Sequence, residues 1–187
     1  MRKIKARIMN REAIERTLIR IAHEILERNK GVEGLALVGI RTGGYHLAVR
    51  LAENIKKIEG VEVPCGALDV TMYRDDHSSR KKTLPPGRTE IHFPVKEMKI
   101  VLVDDVLYTG RTVRAALDGL MDFGRPLQIQ LAVLLDRGHK ELPIMADYVG
   151  KNVPTSRKEK LKVLLSEEGG EDEAVIYDEG GEDDSQG

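Results

Sequence analysis

The chain of 187 residues is poor in the residue types that cross-link or anchor proteins. A single cysteine, Cys65, excludes an intrachain disulfide framework and a cysteine-based zinc cluster. The sequence has no tryptophan and two phenylalanines, which excludes an aromatic-rich platform for single-stranded nucleic acid. No apolar run approaches the roughly 20 residues of a membrane span, and the basic start has no apolar signal core behind it. We therefore expect a cytoplasmic protein with no membrane partner.

Charge is balanced over the whole chain but divided unevenly along it. The formal net charge is −1, yet the segment 167–187 contains ten acids and neither lysine nor arginine. The segment 1–166 then carries 30 basic and 21 acidic residues, a net charge of +9. A basic body with an acidic end is typical of proteins with a polyanionic partner. The alternative is a solvated, highly charged surface.

Hydrophobic spacing predicts a first helix over residues 11–29. Apolar residues recur there at helical intervals, at Ile14, Leu18, Ile21 and Ile25. Asn10 is the expected N-cap, and Gly31 the expected stop signal.

Beyond this helix, apolar segments alternate between strand and helix patterns. The expected strands are 35–40, 61–72, 99–104 and 127–135, and the expected helices follow the first and third of them, over 47–58 and through 113–120. This alternation favours an α/β fold with a parallel sheet and flanking helices.

Three segments interrupt the alternation. Residues 74–88 form a long polar stretch, for which a catalytic lid and a mobile hairpin loop are the two interpretations. Residues 136–165 are mixed and basic, and we expect a small hood folded over one end of the sheet. We expect a single domain over 1–178 and a disordered acidic tail over 179–187.

The segment 101–113 carries the clearest chemical signal. A buried strand delivers two adjacent acids, Asp104 and Asp105, and a Thr-Gly-Arg-Thr turn then opens a helix. Ligands of open α/β sheets bind at this end of the strands. A helix start with free N–H groups binds phosphate, and paired acids hold a vicinal diol or a metal ion. The pattern predicts a ligand that has both a phosphate and a ribose.

This segment resembles the 5-phosphoribosyl-1-pyrophosphate (PRPP) signature of type I phosphoribosyltransferases. The resemblance implies a type I phosphoribosyltransferase-like fold in which Asp104 and Asp105 hold the ribose hydroxyls. The signature also implies a substrate-binding segment. In it, Val106 and Leu107 precede a 5′-phosphate loop made of Tyr108, Thr109, Gly110, Arg111 and Thr112.

More specifically, the chain resembles the PyrR family of pyrimidine-operon attenuation regulators with uracil phosphoribosyltransferase activity. The likeness runs from about Ile14 to Tyr177, and purine salvage enzymes do not share its set of motifs. Besides the PRPP signature, these motifs are Arg20-Ile-Ala-His-Glu24, Asp69-Val-Thr-Met-Tyr-Arg-Asp-Asp76, Asp136-Arg-Gly-His139 and Asp147-Tyr-Val-Gly-Lys-Asn-Val-Pro-Thr-Ser156.

The resemblance also implies a pyrophosphate loop and a catalytic loop. Arg41, Thr42 and Gly43 follow the first strand where the family binds pyrophosphate, but Gly43 stands where the family usually has an arginine. This departure puts PRPP affinity or turnover in question. Arg74 is the expected catalytic residue of the long loop, beside further candidates for pyrophosphate contact at Arg80, Lys81, Lys82 and Arg88.

The base pocket is expected in the hood. By resemblance, Arg137 would lie near a carbonyl oxygen of the base, with Tyr148 as the stacking aromatic and Val149 beside it. The alternative for Tyr148 is a packed residue with one hydrogen bond and no ligand role.

Three functions remain open at this point. The first is a regulator that responds to UMP, binds leader mRNA of a pyrimidine operon and also converts uracil and PRPP to UMP and pyrophosphate. The second is a salvage phosphoribosyltransferase without RNA, and the third an RNA regulator with weak or lost enzymatic activity. The RNA-binding candidates are basic residues of the first helix and the hood, Arg20, His23, Arg28, His139, Lys140 and Lys151.

The family also implies a metal ion and an oligomer. Mg²⁺ is expected to enter with PRPP, with Asp104 as the one direct ligand considered. A homodimer or homotetramer is expected.

Overall fold

The structure, a computed structural model, describes residues 4–74 and 88–178. Its elements in chain order are β1 (Ile4–Met9), α1 (Arg11–Asn29), β2 (Leu35–Ile40), α2 (Gly43–Glu59), β3 (Cys65–Leu68), β4 (Lys99–Leu107), α3 (Arg111–Met121), β5 (Gln128–Asp136), β6 (Tyr148–Asn152), β7 (Glu159–Leu164) and β8 (Glu173–Asp178). Short 3₁₀ helices cover Thr71–Tyr73 and Ser166–Glu168.

Five strands form a parallel main sheet in the order β3-β2-β4-β5-β6. β4 lies at its centre, and the α/β fold predicted from the alternating pattern is confirmed. The strand predicted over 61–72 is shorter, because β3 ends at Leu68 before the 3₁₀ helix.

Helix α1 has the predicted bounds. The side chain of Asn10 accepts the main-chain N–H of Ala13 at 2.9 Å, which satisfies one of the helix's free donors. The helix ends at Lys30, which adopts a left-handed conformation ahead of Gly31. Its apolar stripe is fully buried, as the sequence periodicity requires.

The main sheet separates two apolar cores. Helices α1 and α2 bury their apolar stripes in one core, which includes Leu37, Val101 and Leu134. Helix α3 buries Val113 and Leu120 in the other core. β2 is buried along its whole length, as expected for a parallel strand covered on both faces.

A second, antiparallel sheet has the order β1-β8-β7. It joins the two ends of the described chain, since Ile4 pairs with Tyr177. The predicted hood over 136–165 therefore differs from the observed architecture. That range includes β6, which belongs to the main sheet, and it omits β1 and β8. The sequence pattern did not predict β1 and β8, because strands so far apart in the chain share no local signal.

Two predictions fall outside the described residues. These are the loop candidates Arg80, Lys81 and Lys82, and the acidic tail over 179–187. Within the described residues, no helix is long and apolar enough to cross a membrane.

Candidate functional site

The two acids of the motif lie near the C-terminal end of β4. Asp104 Oδ1 accepts the main-chain N–H of Asp105 at 2.9 Å, and Asp105 Oδ1 accepts that of Val106 at 2.7 Å. Asp104 is buried, whereas Asp105 is half-buried. The strand thus presents two carboxyl groups in unequal surroundings.

Burial raises the pKa of Asp104 well above its usual range, because an ionised carboxylate loses its hydration there. The negative charge of Asp105 raises it further, and the positive charge of Arg74 acts in the opposite direction. A ligand that donates hydrogen bonds to this carboxyl group would favour its charged form.

The anion-binding part of the site is the turn before α3. Gly110 has φ +92°, a left-handed conformation that glycine adopts without strain, and it provides no side chain to cap the helix. The Thr109 hydroxyl accepts the N–H of Arg111 at 3.3 Å. A helix start of this kind attracts anions through its N–H groups and its dipole.

These groups share a cavity of about 270 Å³. Arg74 reaches into it and donates to the Thr112 hydroxyl at 3.2 Å. The lining residues are Arg74, Asp104, Val106, Leu107, Tyr108, Thr109, Gly110, Arg111, Thr112, Val113 and Glu141. The structure therefore brings together Asp104, the predicted phosphate loop and Arg74, whereas Asp105 is not among the lining residues.

Glu141 is a lining residue that the sequence did not predict. It lies 3.4 Å from Arg111 as an ion pair, and its main-chain N–H donates to the carbonyl of Thr109 at 2.8 Å. Its sequence distance from the motif, about 30 residues, left no local signal for this contact.

The loop after β2 packs directly against the two acids. An ideal Cβ at Gly44 would lie 2.3 Å from the carbonyl oxygen of Val103 and 3.0 Å from Asp104 Cα, so only glycine fits there. An ideal Cβ at Gly43 would lie 2.8 Å from Asp105 Oδ2. The glycine in place of the family's usual arginine is therefore beside the ribose acid.

Arg41 is held away from the cavity by contacts of its own. Its Nε donates to the Arg88 carbonyl at 2.5 Å, and its Nη2 lies 3.1 Å from Glu90. Its guanidinium carbon is 5.0 Å from the centre of the Tyr45 ring. Thr42 is exposed, and the peptide between Arg41 and Thr42 is cis.

Arg137 stacks on Tyr108, its guanidinium carbon 3.9 Å from the ring centre. Its donors contact the Thr155 hydroxyl at 2.9 Å and the carbonyls of Ser156 and Glu159 at 3.2 and 2.8 Å. Arg137 thus ties the segment before β7 to the phosphate loop.

Tyr148 departs from its predicted place as a base-stacking aromatic. Its ring is buried in the core beneath α1, and its hydroxyl donates to Gln130 at 2.6 Å. Burial also raises the pKa of this phenol. This is the packing alternative left open above: periodicity alone could not tell which side of the strand Tyr148 faces. Val149 is half-buried and packs against the other core.

The RNA-binding candidates fall into two groups. His23 and Arg28 lie exposed on α1 with Arg20, and Lys151 is exposed at the end of neighbouring β6. His139 and Lys140 follow β5. Lys140 lies 3.4 Å from Asp136.

Arg20 and Arg28 are both engaged by the region of β6. Arg20 contacts main-chain carbonyls of that strand, and Arg28 forms an ion pair with Asp147 at 2.9 Å. Neither arginine is a free surface charge.

Paired acids and an anion-binding helix start, on a parallel sheet of this order, define a type I phosphoribosyltransferase. The phosphoribosyl transferase domain family matches residues 6–163. The bifunctional protein PyrR of Geobacter sp. strain M21 is 60% identical over 169 residues, which cover 90% of this chain and 96% of that protein. The bifunctional protein PyrR of Clostridium beijerinckii is 55% identical over 176 residues, 94% of this chain and 99% of that protein. The chain belongs to the PyrR family of phosphoribosyltransferase-domain proteins.

Solved structures confirm the fold at lower identity. The hypoxanthine phosphoribosyltransferase of Trypanosoma cruzi has a TM-score of 0.68 at 18% identity, covering 94% of this chain and 97% of that one. The Staphylococcus aureus hypoxanthine phosphoribosyltransferase has a TM-score of 0.61 at 19% identity, covering 81% and 78%. This likeness concerns the fold alone.

Proposed function

We propose that this protein transfers a phosphoribosyl group from PRPP to uracil, giving UMP and pyrophosphate, and that it also binds leader mRNA of a pyrimidine operon. When uridine nucleotides are abundant, UMP strengthens RNA binding and thereby favours transcription termination. The observation that carries the enzymatic half is a single cavity shared by Asp104, the phosphate loop and Arg74.

PRPP suits this cavity by its charge and its hydrogen-bonding groups. Its 5′-phosphate accepts N–H groups at the start of α3, and its ribose hydroxyls donate to Asp104 and Asp105. The distance between those groups is bridged by the four residues from Val106 to Thr109, which line the same cavity.

The donor set suits a metal ion that arrives with the substrate. Within residues 4–74 and 88–178, no group of three or more His, Cys, Asp or Glu side chains could hold a metal ion. Asp104 and Asp105 offer two carboxylates, which leaves most ligands to come from PRPP and water. When bound, Mg²⁺ would neutralise charge on the pyrophosphate that leaves.

The reaction breaks the bond between the anomeric carbon and a pyrophosphate oxygen, and it forms a bond to N1 of uracil, which loses its proton. The chain's part is to fix the ribose through its acids and the phosphate through α3. Arg74, which donates to Thr112 in the same cavity, would supply positive charge to the departing pyrophosphate.

Uracil is expected beside Tyr108 and Val149. The Tyr148 ring lies in the core, whereas Tyr108 lines the cavity and stacks on Arg137. Arg137 would influence the base by fixing Tyr108.

The RNA half is supported by the exposed basic side chains on α1, at the end of β6 and after β5. Lysine and arginine neutralise RNA phosphates, so the affinity would fall with salt. UMP can raise RNA affinity only by binding the RNA-competent state more tightly than the other state. The proposed RNA partner implies a cytoplasmic location.

Two assays on one preparation test this function. A uracil–PRPP assay should detect UMP formation, and a gel-shift with leader RNA should show tighter binding when UMP is added. UMP formation without RNA binding would favour a salvage enzyme, and the reverse would favour a pure regulator. Light scattering tests the expected homodimer or homotetramer.

A further inference from the structure

Helix α1 holds the start of β6 at four successive residues. Asp147 is bound by Arg28 at 2.9 Å, and the Tyr148 hydroxyl lies 3.4 Å from Asn29 Nδ2. The carbonyls of the next two residues both accept from Arg20. β6 is the edge strand of the main sheet, and these contacts tie its start to α1.

Arg20 makes the most direct of these contacts. Its Nη2 donates to the carbonyl oxygens of Val149 at 3.2 Å and Gly150 at 2.7 Å. Its Nη1 pairs with Glu24 on the same helix at 2.6 Å. The planar guanidinium can serve these acceptors at fixed angles, which a lysine ammonium cannot reproduce.

A buried polar network also ties α1 to β5 and β6. Asn29 and Gln130 exchange hydrogen bonds at 2.8 and 3.0 Å, and Tyr148 donates to Gln130. At Gly150, an ideal Cβ would lie 2.8 Å from Thr17 Cγ2. A displacement of β6 along its length would therefore disturb α1.

From β6, contacts continue to the phosphate loop. Val149 packs in the same core as Ile144, and Ile144 lies 3.5 Å from the Cβ position of Gly110. The Glu141 N–H also donates to the carbonyl of Thr109. Strand pairing connects the cavity to β6: Leu107, which lines the cavity, pairs with Asp136 of β5, and Asp136 pairs with Asn152 of β6, the strand that Arg20 contacts.

We infer that Arg20 is a positioning residue that couples the nucleotide site to the RNA-binding candidates on α1, His23 and Arg28. This inference rests on the proposed function. A nucleotide that fixes the phosphate loop in one conformation also fixes β6. The hydrogen bonds of Arg20 to β6 then restrict the position of α1. Because coupling is reciprocal, RNA must raise UMP affinity by the same factor by which UMP raises RNA affinity.

The test compares Arg20→Lys with Arg16→Lys, a matched control. Arg16 is exposed on the same helix. For each protein, the Kd for leader RNA is measured without UMP and with saturating UMP. Arg20→Lys keeps the charge, and the readout is the ratio of the two Kd values, so a change in the Kd without UMP does not by itself decide the test. We expect the ratio of the two Kd values to fall at least threefold toward 1, whereas Arg16→Lys should keep the wild-type ratio.

Three outcomes would overturn the inference. A wild-type ratio in Arg20→Lys would show that the coupling does not pass through Arg20. A large loss of RNA affinity with the ratio retained, or a complete loss of RNA binding, would make Arg20 an RNA contact. Thermal unfolding checks that each variant is folded, and UMP titration with and without RNA gives the coupling independently. An absent UMP response in the wild-type protein would instead refute the proposed function.

Discussion

Asp104 accepts the main-chain N–H of Asp105, so two adjacent carboxyl groups share one strand end while only Asp104 is buried. Asp105 is the more accessible acid and lies against Gly43. The two acids therefore differ in their surroundings: Asp105 is the more accessible, whereas burial makes the ionisation of Asp104 oppose folding.

Asp105→Asn should lower turnover by about two decades. The amide keeps the shape but loses the charge-assisted hydrogen bonds to ribose, which should cost about 2–3 kcal/mol in the transition state. RNA affinity without nucleotide should barely change, while stimulation by UMP should weaken. Steady-state kinetics and gel-shifts measure these effects. Asp118→Asn, which changes an exposed side chain of α3, is the control. Collapse of RNA binding in a folded variant would disprove two separable surfaces.

Asp104→Asn should inactivate the enzyme yet stabilise the fold at neutral pH. Burial raises the pKa of Asp104, so the native state holds its proton more tightly than the unfolded state does. Wild-type stability therefore falls as pH rises above the ordinary aspartate pKa, and the uncharged variant escapes this loss. Urea unfolding at pH 4 and pH 7 should show the variant's advantage only at the higher pH. An equal advantage at both values would disprove the ionisation argument.

The sequence allowed the prediction of features that are contiguous in the chain. The bounds of α1 follow from its apolar spacing and its cap, and the cavity follows from a strand, turn and helix within 101–113. The features that it missed join distant segments. β1 pairs with β8 across nearly the whole chain, and Glu141 reaches Arg111 from beyond β5.

The second limit on prediction from the sequence was the face of the sheet to which a strand side chain points. Tyr148 and Val149 are adjacent on β6, and alternation sends their side chains to opposite faces of the sheet. The sequence predicted both near a base, but a half-buried edge strand does not show by its pattern which face meets α1. The buried partners Asn29 and Gln130 decide this for Tyr148.

The Arg50–Asp172 ion pair should make the fold sensitive to acid. It joins α2 to the segment before β8 at 2.7 Å, and the arginine lowers the pKa of Asp172 to about 2. Its stabilisation is present above the ordinary aspartate pKa and is lost as pH falls toward 2. Asp172→Asn should cost on the order of 2 kcal/mol at pH 7.

Urea unfolding at pH 7 and pH 3 measures this cost, with Glu171→Gln, an exposed neighbour, as the control. The difference between wild type and Asp172→Asn should shrink at pH 3. A pH-independent difference would show that lost packing, and not the ion pair, explains the effect.

Gly44→Ala should abolish most of the phosphoribosyl transfer. The new methyl group would lie 2.3 Å from the Val103 carbonyl oxygen, so the loop or the end of β4 must move and displace Asp104. We expect destabilisation of about 1–3 kcal/mol and a loss of at least about 100-fold in kcat/KM. Gly170→Ala is the control, because no atom lies within 4 Å of its Cβ position. Near-normal activity in a folded Gly44→Ala would contradict the tight packing of loop and strand.

Neutralising the basic RNA-binding candidates Lys140, after β5, and Lys151, on β6, should flatten the salt dependence of RNA binding. Each phosphate contact contributes close to one unit to the slope of log K against log salt. Lys140 lies 3.4 Å from Asp136, whose carboxylate competes with a phosphate, whereas Lys151 is exposed at the end of β6. Lys151→Gln should therefore reduce the slope by about one unit, and Lys140→Gln by less.

The double variant should show the sum of the two effects. The slope is measured from the RNA Kd at KCl concentrations between roughly 50 and 300 mM, a span over which such affinities change by decades. Lys57→Gln, an exposed change on α2, is the matched control. An unchanged slope in the double variant would mean that the RNA surface lies elsewhere.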